Sequence, residues 1–304
     1  MQYKFSHKIQ WICLQAGMLI LVSWPGTLKA LELQDFAQGA LNNGLTAESY
    51  IVIDSASGNP LMAKEVQKVW TPASLTKLVT ALVVLEKNPK LQGSIKLKKT
   101  DEVGGARLAT KVGVSYTVKD LFNAMLIASA NNATNAVARS TGLSSVEFVA
   151  KMNDKAKELG ALHTHFVEPT GISEQNLSTV EDYAKIAQTA FAQPLILSAA
   201  KTLEYSFRAT NNKRYLHKLK NTNKLLKDGE MEIIAGKTGY LDESKYNFTA
   251  LVKDQYNQLA IVVLFGAKDT SAQFRETKQL TFLSGLVKQL NFLGGAVLGI
   301  NDKK

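Results

Sequence analysis

The hydrophobic and polar positions of this chain follow two different periods. Short apolar runs rich in Val, Ile, Leu, Phe and Tyr predict strands at 50–54, 61–64 and 203–208, and three more between 231 and 265. After Pro72, which suits the first turn of a helix, apolar residues recur with helical spacing: Leu75, Leu78, Val79, Ala81, Leu82 and Leu85. Strands therefore stand near both ends of the chain, with helices between them.

Three further helix starts are marked by a hydroxyl side chain three residues ahead of an acid, a spacing typical of helix caps: Thr117 and Asp120, Ser144 and Glu147, Ser178 and Glu181. Gly160 is suited to end the second of these helices, and a last helix is expected over 272–292. This order predicts an α+β fold, in which helices flank an antiparallel sheet and an all-helical lobe is inserted at about residues 90–195.

Three short motifs hold the candidate chemistry: Ser74-Leu75-Thr76-Lys77, Ser129-Ala130-Asn131 and Lys237-Thr238-Gly239. One helical turn separates Ser74 from Lys77, so an amine can meet a hydroxyl and take its proton. A second hydroxyl with an amide, and a cation on a strand, complete a set that suits acyl transfer on a substrate ending in a carboxylate. Chance copies of the first two motifs, at 198–201 and 57–59, do not fit this order.

With these motifs the chain resembles the low-molecular-weight penicillin-binding proteins of the D-alanyl-D-alanine carboxypeptidase and endopeptidase family. The resemblance covers about residues 48–285 and includes the blocks 117–121 and 127–133. The stretch from Phe166 to Ser173, followed by Asn176, is similar to endopeptidase-like members. One departure follows Gly239: many members have Ala-Gly there, whereas this chain reads Tyr240-Leu241-Asp242-Glu243.

The resemblance implies a DD-peptidase/β-lactamase-like fold and a catalytic group of Ser74, Lys77 and Ser129. Ser74 would be the nucleophile, and Lys77 would be its base once burial and the second cation, Lys237, lower the lysine pKa. Ser129 would pass a proton towards the leaving amine and hold Lys77 in place.

The resemblance also implies how substrate is bound. Asn131 would grip a substrate carbonyl and Lys77, while Lys237 and Thr238 would bind the terminal carboxylate. The backbone N–H groups of Ser74 and Tyr240 would form the oxyanion hole. The expected substrates are peptidoglycan stem peptides, with β-lactams as inhibitors trapped at the same step and with no metal ion or cofactor.

The first thirty residues have the pattern of a secretory signal peptide. Lys4 and Lys8 precede a mostly apolar stretch at 9–24, and Ala30 is the expected last residue removed. An uncleaved anchor helix is the alternative. Residues 31–304 are then expected to form one catalytic domain, exported to the periplasm or another extracytoplasmic cell-wall space. The single cysteine, Cys13, lies in the leader, so the mature protein is expected to have no disulfide.

The chain has a formal net charge of +10, of which three charges lie in the leader. Without a continuous Lys/Arg tract, this charge favours attraction to an anionic cell wall, or peripheral contact with a membrane, over nucleic-acid binding. Plain solubility is the alternative reading of the same charge.

Other functions remain open from the residues alone. A serine β-lactamase would need a deacylation base, for which Glu168 is the candidate, although a structural role in its loop is favoured. A catalytically silent cell-wall-binding protein is a second alternative. A phosphate loop would need glycine at Met231, and a zinc site would need more than His163 and His165. The motifs do not choose between carboxypeptidase and endopeptidase, although the block around Glu168 slightly favours the latter.

Overall fold

The structure is a computed structural model that describes residues 44–87, 89–227 and 232–297, with side chains to residue 289. The predicted signal peptide at 1–30 and Cys13 lie outside the described residues. The strands are β1 Ser49–Asp54, β2 Pro60–Lys64, β3 Ser94–Lys96, β4 Ser115–Thr117, β5 Glu204–Arg208, β6 Leu216–Lys220, β7 Glu232–Leu241, β8 Lys245–Lys253 and β9 Leu259–Ala267. The α-helices are α1 Lys77–Lys87, α2 Val118–Ile127, α3 Asn131–Arg139, α4 Ser145–Glu158, α5 Val180–Ala192, α6 Pro194–Lys201 and α7 Thr270–Val297.

A five-stranded antiparallel sheet organises the fold, with the order β2-β1-β9-β8-β7. The first strand therefore pairs with the last, and β7 forms one edge. Strand β9 is buried along almost its whole length, as expected for an apolar strand that is covered on both faces. Tyr183 of α5 packs against Phe265 on one face, and Phe274 of α7 packs against Phe248 on the other. The predicted sheet flanked by helices is confirmed.

The helices in the middle of the chain begin at, or within one residue of, the positions that the capping residues predict. The Thr117 hydroxyl accepts a hydrogen bond from the Asp120 N–H at the start of α2, and Ser144 with Glu147 forms a reciprocal capping box on α4. Gly160, just beyond α4, has φ +70°, a conformation that glycine adopts without strain. Helix α5 is capped by Thr179, one residue later than the prediction at Ser178.

Between residues 90 and 195 most of the regular secondary structure is helical, and this region also contains the β3–β4 ribbon. A second ribbon, β5–β6, lies between this region and β7. Among the described helices, none is long and apolar enough to cross a membrane.

Candidate active site

Ser74 lies in a 3-10 turn, Ala73–Thr76, immediately ahead of α1. The sequence predicts an ordinary helix start here, but Ala73 has φ +51°, in the left-handed region that residues with a side chain rarely adopt. Lys77 Nζ donates a hydrogen bond to Ser74 Oγ over 2.8 Å. The predicted meeting of hydroxyl and amine across one turn is therefore confirmed.

Two glycines let other segments press directly against this turn. A Cβ atom at Gly171 would lie 2.0 Å from the Ala73 carbonyl oxygen, and Gly171 has φ +80°. On β7, a Cβ atom at Gly239 would lie 2.7 Å from the carbonyl oxygen of Pro72 and 3.2 Å from the Ser74 nitrogen. The backbone around Ser74 is thus held between a loop and the edge strand, with no room for a side chain on either.

Lys77 is completely buried and donates a second, very short hydrogen bond to the Thr170 carbonyl oxygen. Burial lowers its pKa well below the usual value for lysine, and the nearby charge of Lys237 lowers that pKa further. The Glu168 carboxylate acts in the opposite direction and raises it. The lowered pKa increases the share of the neutral amine, which is the form that can accept a proton.

Ser129 lies between α2 and α3 with φ +59°, a second left-handed residue with a side chain. Its hydroxyl accepts a hydrogen bond from Lys237 Nζ over 2.9 Å. Among the hydrogen bonds of the described residues, none joins Ser129 to Lys77, so the predicted hold on Lys77 is absent from this structure, and a proton transfer between them requires the two side chains to come into contact when substrate binds. The hydrogen-bond partner of the Ser129 hydroxyl is Lys237.

Lys237 stands on the edge strand β7, as predicted, with its side chain almost fully buried. Burial lowers the pKa of Lys237 to about 7. Its ammonium also donates to the Thr238 carbonyl oxygen, and the Thr238 hydroxyl donates to Thr222 Oγ1 over 2.7 Å. The cation and the hydroxyl are thereby fixed side by side at the edge of the sheet.

Asn131 is the first residue of α3 and is buried against the loop that contains Gly104. Its Nδ2 donates to the Gly104 carbonyl oxygen over 2.7 Å. In the described part of the chain its Oδ1 has no hydrogen-bond partner, and the predicted contact with Lys77 is not formed. Asn131 therefore keeps a buried acceptor that is free for an incoming donor.

The Glu168 carboxylate is occupied by its own loop. It accepts hydrogen bonds from the backbone N–H groups of Thr170, Gly171 and Ile172 at 2.7, 2.6 and 3.0 Å. The buried amide of Asn176 donates to it over 2.9 Å. These bonds close a tight loop whose Thr170 carbonyl contacts Lys77, so Glu168 acts on the site by shaping this loop.

Several residues of the site were not found from the sequence. Asn247 on β8 donates to the Thr71 carbonyl oxygen over 2.8 Å and accepts from the Gly266 N–H, which ties the segment before Ser74 to the sheet. The Tyr183 hydroxyl donates a very short hydrogen bond to the Leu75 carbonyl oxygen. Polar residues are common on strands and helices, and only the folded structure shows which of them contact the active site. The sequence therefore contained no signal for Asn247 or Tyr183.

Among the described residues, no group of three or more His, Cys, Asp or Glu side chains lies together in a way that could hold a metal ion. His165 lies in an isolated backbone bridge with Leu177, and the His163 N–H donates to the Asp182 carboxylate. The backbone groups of both histidines are therefore bonded within the fold, which indicates a structural role for this segment.

Known proteins match this chain over most of its length. It is 33% identical over 233 residues to the D-alanyl-D-alanine endopeptidase of Haemophilus influenzae, covering 76% of this chain and 78% of that one. It is 37% identical over 252 residues to the D-alanyl-D-alanine carboxypeptidase DacF of Bacillus subtilis, covering 78% of this chain and 61% of that one.

Solved structures agree with the fold. The crystal structure of a D-alanyl-D-alanine carboxypeptidase from Mycobacterium tuberculosis matches with a TM-score of 0.71 and 26% identity, over 78% of this chain and 89% of the other. Penicillin binding protein 5 from Haemophilus influenzae matches with a TM-score of 0.71 and 25% identity, over 78% and 70%. The family model described as D-alanyl-D-alanine carboxypeptidase matches residues 36–269. This chain therefore belongs to the D-alanyl-D-alanine carboxypeptidase family of serine peptidases.

Proposed function

We propose that this protein is a serine-type D-Ala-D-Ala peptidase that acts on peptidoglycan stem peptides through an acyl-enzyme on Ser74. One observation carries the proposal: the Ser74 hydroxyl lies 2.8 Å from the amine of Lys77, which is buried and has a lowered pKa. A serine hydroxyl is a weak nucleophile until a base removes its proton, and a neutral lysine is such a base.

In the acylation step, Ser74 Oγ attacks the D-alanyl carbonyl carbon while its proton passes to Lys77 Nζ. The carbonyl oxygen becomes an oxyanion, for which we assign the N–H groups of Ser74 and Tyr240 as donors. One such donor is worth ~2.7–4 kcal/mol of barrier in comparable sites. The C–N bond then breaks, and Ser129 passes the proton from Lys77 to the leaving nitrogen. Water hydrolyses the ester and restores Ser74.

Substrate would be oriented by the edge strand and by α3. Lys237 and Thr238 would bind the terminal carboxylate, because a buried ammonium beside a hydroxyl suits an anion. The free Oδ1 of Asn131 fits a substrate N–H better than the carbonyl expected from the sequence, since its Nδ2 is already bonded to Gly104. Thr222 holds the Thr238 hydroxyl in position.

Two bonds suit this chemistry: the terminal D-Ala-D-Ala bond of a pentapeptide and the crosslink from D-alanine to a diamino acid. Both are broken by acyl transfer at a D-alanyl carbonyl, so we propose carboxypeptidase and endopeptidase activity at one site. Parallel assays on a soluble pentapeptide and on a crosslinked dimer would measure each activity separately.

The two alternative functions are less well supported. A β-lactamase needs a carboxylate that is free to activate water, whereas the Glu168 oxygens accept hydrogen bonds from their own loop. A silent cell-wall-binding protein would have no need for a buried lysine in contact with a serine hydroxyl, an arrangement that is costly to stability. We further propose that residues 1–30 direct export, and that the mature domain 31–304, with its helical lobe at about 90–195, works in the periplasm or another cell-wall space.

The first test is covalent labelling with a fluorescent penicillin, followed by intact mass. We expect one adduct per molecule that persists on the wild type and is absent from Ser74→Ala. No adduct, together with no loss of penicillin from solution, would contradict the proposed function. Rapid release of the adduct with continuous loss of penicillin would instead indicate a β-lactamase.

A further inference from the structure

The net positive charge of the mature chain comes from one segment. Residues 201–227 contain eight Lys or Arg residues and a single acid, Glu204. The leader at 1–30 contains three Lys and no acid. All the remaining residues, including Asp228 and Glu230 directly after the segment, contain equal numbers of acidic and basic side chains. Removal of the leader would therefore leave a molecule whose entire net charge comes from this one segment, which we name the basic hairpin.

The fold explains why the basic hairpin is not a continuous tract in the sequence. Strands β5 and β6 pair antiparallel, and their side chains alternate between two faces. The inner face contains Phe207 and His217, whose rings stack at 5.0 Å and pack against Tyr116. The outer face and the turn present cations, which are exposed to solvent: Arg208, Lys213, Arg214, Lys218 and Lys220.

None of the eight cations of the basic hairpin forms an ion pair with an acid in the described part of the chain, where the ion pairs involve other residues. Elsewhere, partly exposed lysines such as Lys68 and Lys151 do contact carboxylates. Within the described residues the charge on the hairpin is thus not neutralised by ion pairs, and it produces a local positive potential that attracts polyanions.

The basic hairpin is joined directly to the active site. Thr222, two residues after the end of β6, donates its N–H to the Ile127 carbonyl oxygen at the end of α2. The Thr222 hydroxyl accepts from Thr238, beside Lys237. At the other end of the hairpin, Thr210 bonds to Ser94 and to the Ser115 carbonyl oxygen on the β3–β4 ribbon. Anchored at both ends, the hairpin extends away from the site as a fixed row of cations, about 17 Å long.

We propose that the basic hairpin binds the peptidoglycan strand whose stem peptide occupies the active site, through carboxylates of neighbouring stem peptides. This inference rests on the proposed function for the identity of the polymer. Each stem peptide whose C-terminus is not crosslinked ends in a carboxylate, so a glycan strand with many of them is a polyanion. A strand held at Lys237 continues past Thr222 and meets the row of cations. The hairpin thereby favours polymer over free peptide.

Binding is measured by co-sedimentation with insoluble peptidoglycan that has been freed of other polymers. The protein is the mature chain with Ser74→Ala, so that binding is scored without turnover. The hairpin variant combines Lys213→Gln, Arg214→Gln, Lys218→Gln and Lys220→Gln. We expect its affinity at low salt to fall by about tenfold or more, because several exposed ion pairs are lost together. Its affinity should also depend less steeply on salt.

A matched control removes the same number of charges elsewhere. It combines Lys87→Gln, Lys90→Gln, Lys157→Gln and Lys268→Gln, four exposed lysines on other parts of the surface. We expect its affinity for peptidoglycan to change less than about twofold. Equal losses in both variants would overturn the proposal, because net charge alone would then explain binding. Thermal melting of both variants shows that each is folded.

Two further readouts separate the remaining possibilities. If anionic phospholipid vesicles, but not peptidoglycan, lose affinity in the hairpin variant, the surface binds membrane and the proposal is wrong. If wild-type protein is not acylated by penicillin yet the hairpin variant still loses peptidoglycan, the polymer site stands and the proposed catalytic function fails. On active enzyme, we expect the hairpin variant to lose rate on polymer and to retain its rate on a soluble pentapeptide.

Discussion

Two buried lysines that must be in different protonation states lie close together in the active site. Lys77 must be neutral to accept the Ser74 proton, whereas Lys237 must be charged to bind a carboxylate. Burial lowers both pKa values, and the charge on Lys237 lowers that of Lys77 still further. The charge on Lys237 thus favours the neutral form that Lys77 needs, whereas burial opposes the charged form that Lys237 needs.

The pH dependence of penicillin acylation should follow from these two lysines. In the free enzyme the second-order rate constant reports the free-enzyme pKa values, and we expect a bell-shaped profile. The rate falls on the acid side as Lys77 gains its proton, and on the alkaline side, from about pH 7, as Lys237 loses its own. Stopped-flow acylation across pH measures both limbs. An alkaline limb unchanged in Lys237→Gln would contradict the assignment.

Glu168 influences the same site as a positioning residue. In Glu168→Gln, an amide replaces a carboxylate that accepts several backbone N–H groups, so the Thr170 carbonyl loses its fixed place on Lys77. We expect penicillin acylation to slow by about tenfold or more. Because the Glu168 charge raises the Lys77 pKa, its loss should also move the acid limb to lower pH. Glu168→Asp retains the charge and should leave that limb near its wild-type position.

A β-lactamase-like role for Glu168 makes the opposite prediction. Glu168→Gln would then be acylated at close to the wild-type rate and would release its penicillin adduct more slowly. Following the adduct by intact mass over time distinguishes these two results.

At the scale of elements, the site depends on backbone segments that approach one another without side chains between them. Gly171 is the clearest example, because a Cβ atom added there would collide with the Ala73 carbonyl oxygen. In Gly171→Ala the loop must move away from the turn that holds Ser74. We expect acylation to fall by about a hundredfold, since small displacements at a reacting centre have effects of that size.

Gly142 provides a matched control for this substitution. It has φ +81°, nearly the same as Gly171, but nothing lies within 4 Å of its Cβ position. Gly142→Ala therefore has the same backbone strain, about 1–2 kcal/mol, without the collision. Comparable acylation by the two variants would show that strain alone matters, and that the contact with Ala73 does not.

The elements of the fold were largely predictable because their signals are local. A hydroxyl three residues before an acid marks α2 and α4, and short runs rich in apolar residues mark β8 and β9. The left-handed conformations of Ala73 and Ser129 were not predictable, because neither residue favours them by itself and the surrounding structure imposes them. The choice of Lys237 as partner of Ser129 also depends on tertiary packing, over 108 residues of sequence.

For the whole molecule, the buried Lys237 is a cost to stability that function requires. We expect Lys237→Met to raise the free energy of unfolding at pH 7 by about 1 kcal/mol while abolishing carboxylate binding. The pKa of Lys237 is about 7 in the folded protein and about 10.4 in an unfolded chain. The destabilisation by the buried charge is therefore greatest below pH 7 and disappears as the pH rises towards 10.

Urea unfolding of wild type and Lys237→Met at several pH values measures this effect. The advantage of the variant should be greatest at or below pH 7 and should shrink at higher pH. An advantage that is independent of pH would mean that packing, rather than the buried charge, determines the difference.

The turn at Ala73–Thr76 is enclosed by segments that lie far apart in the sequence: the loop at Gly171, the strand at Gly239 and the helix residue Tyr183. Only the tertiary fold brings these segments together around Ser74, so a partly folded chain cannot present Ser74 in its reactive geometry. Covalent labelling by penicillin consequently counts molecules that have completed folding. A fluorescent penicillin would report, molecule by molecule, how much of a preparation has reached the native state after export, refolding or thermal stress.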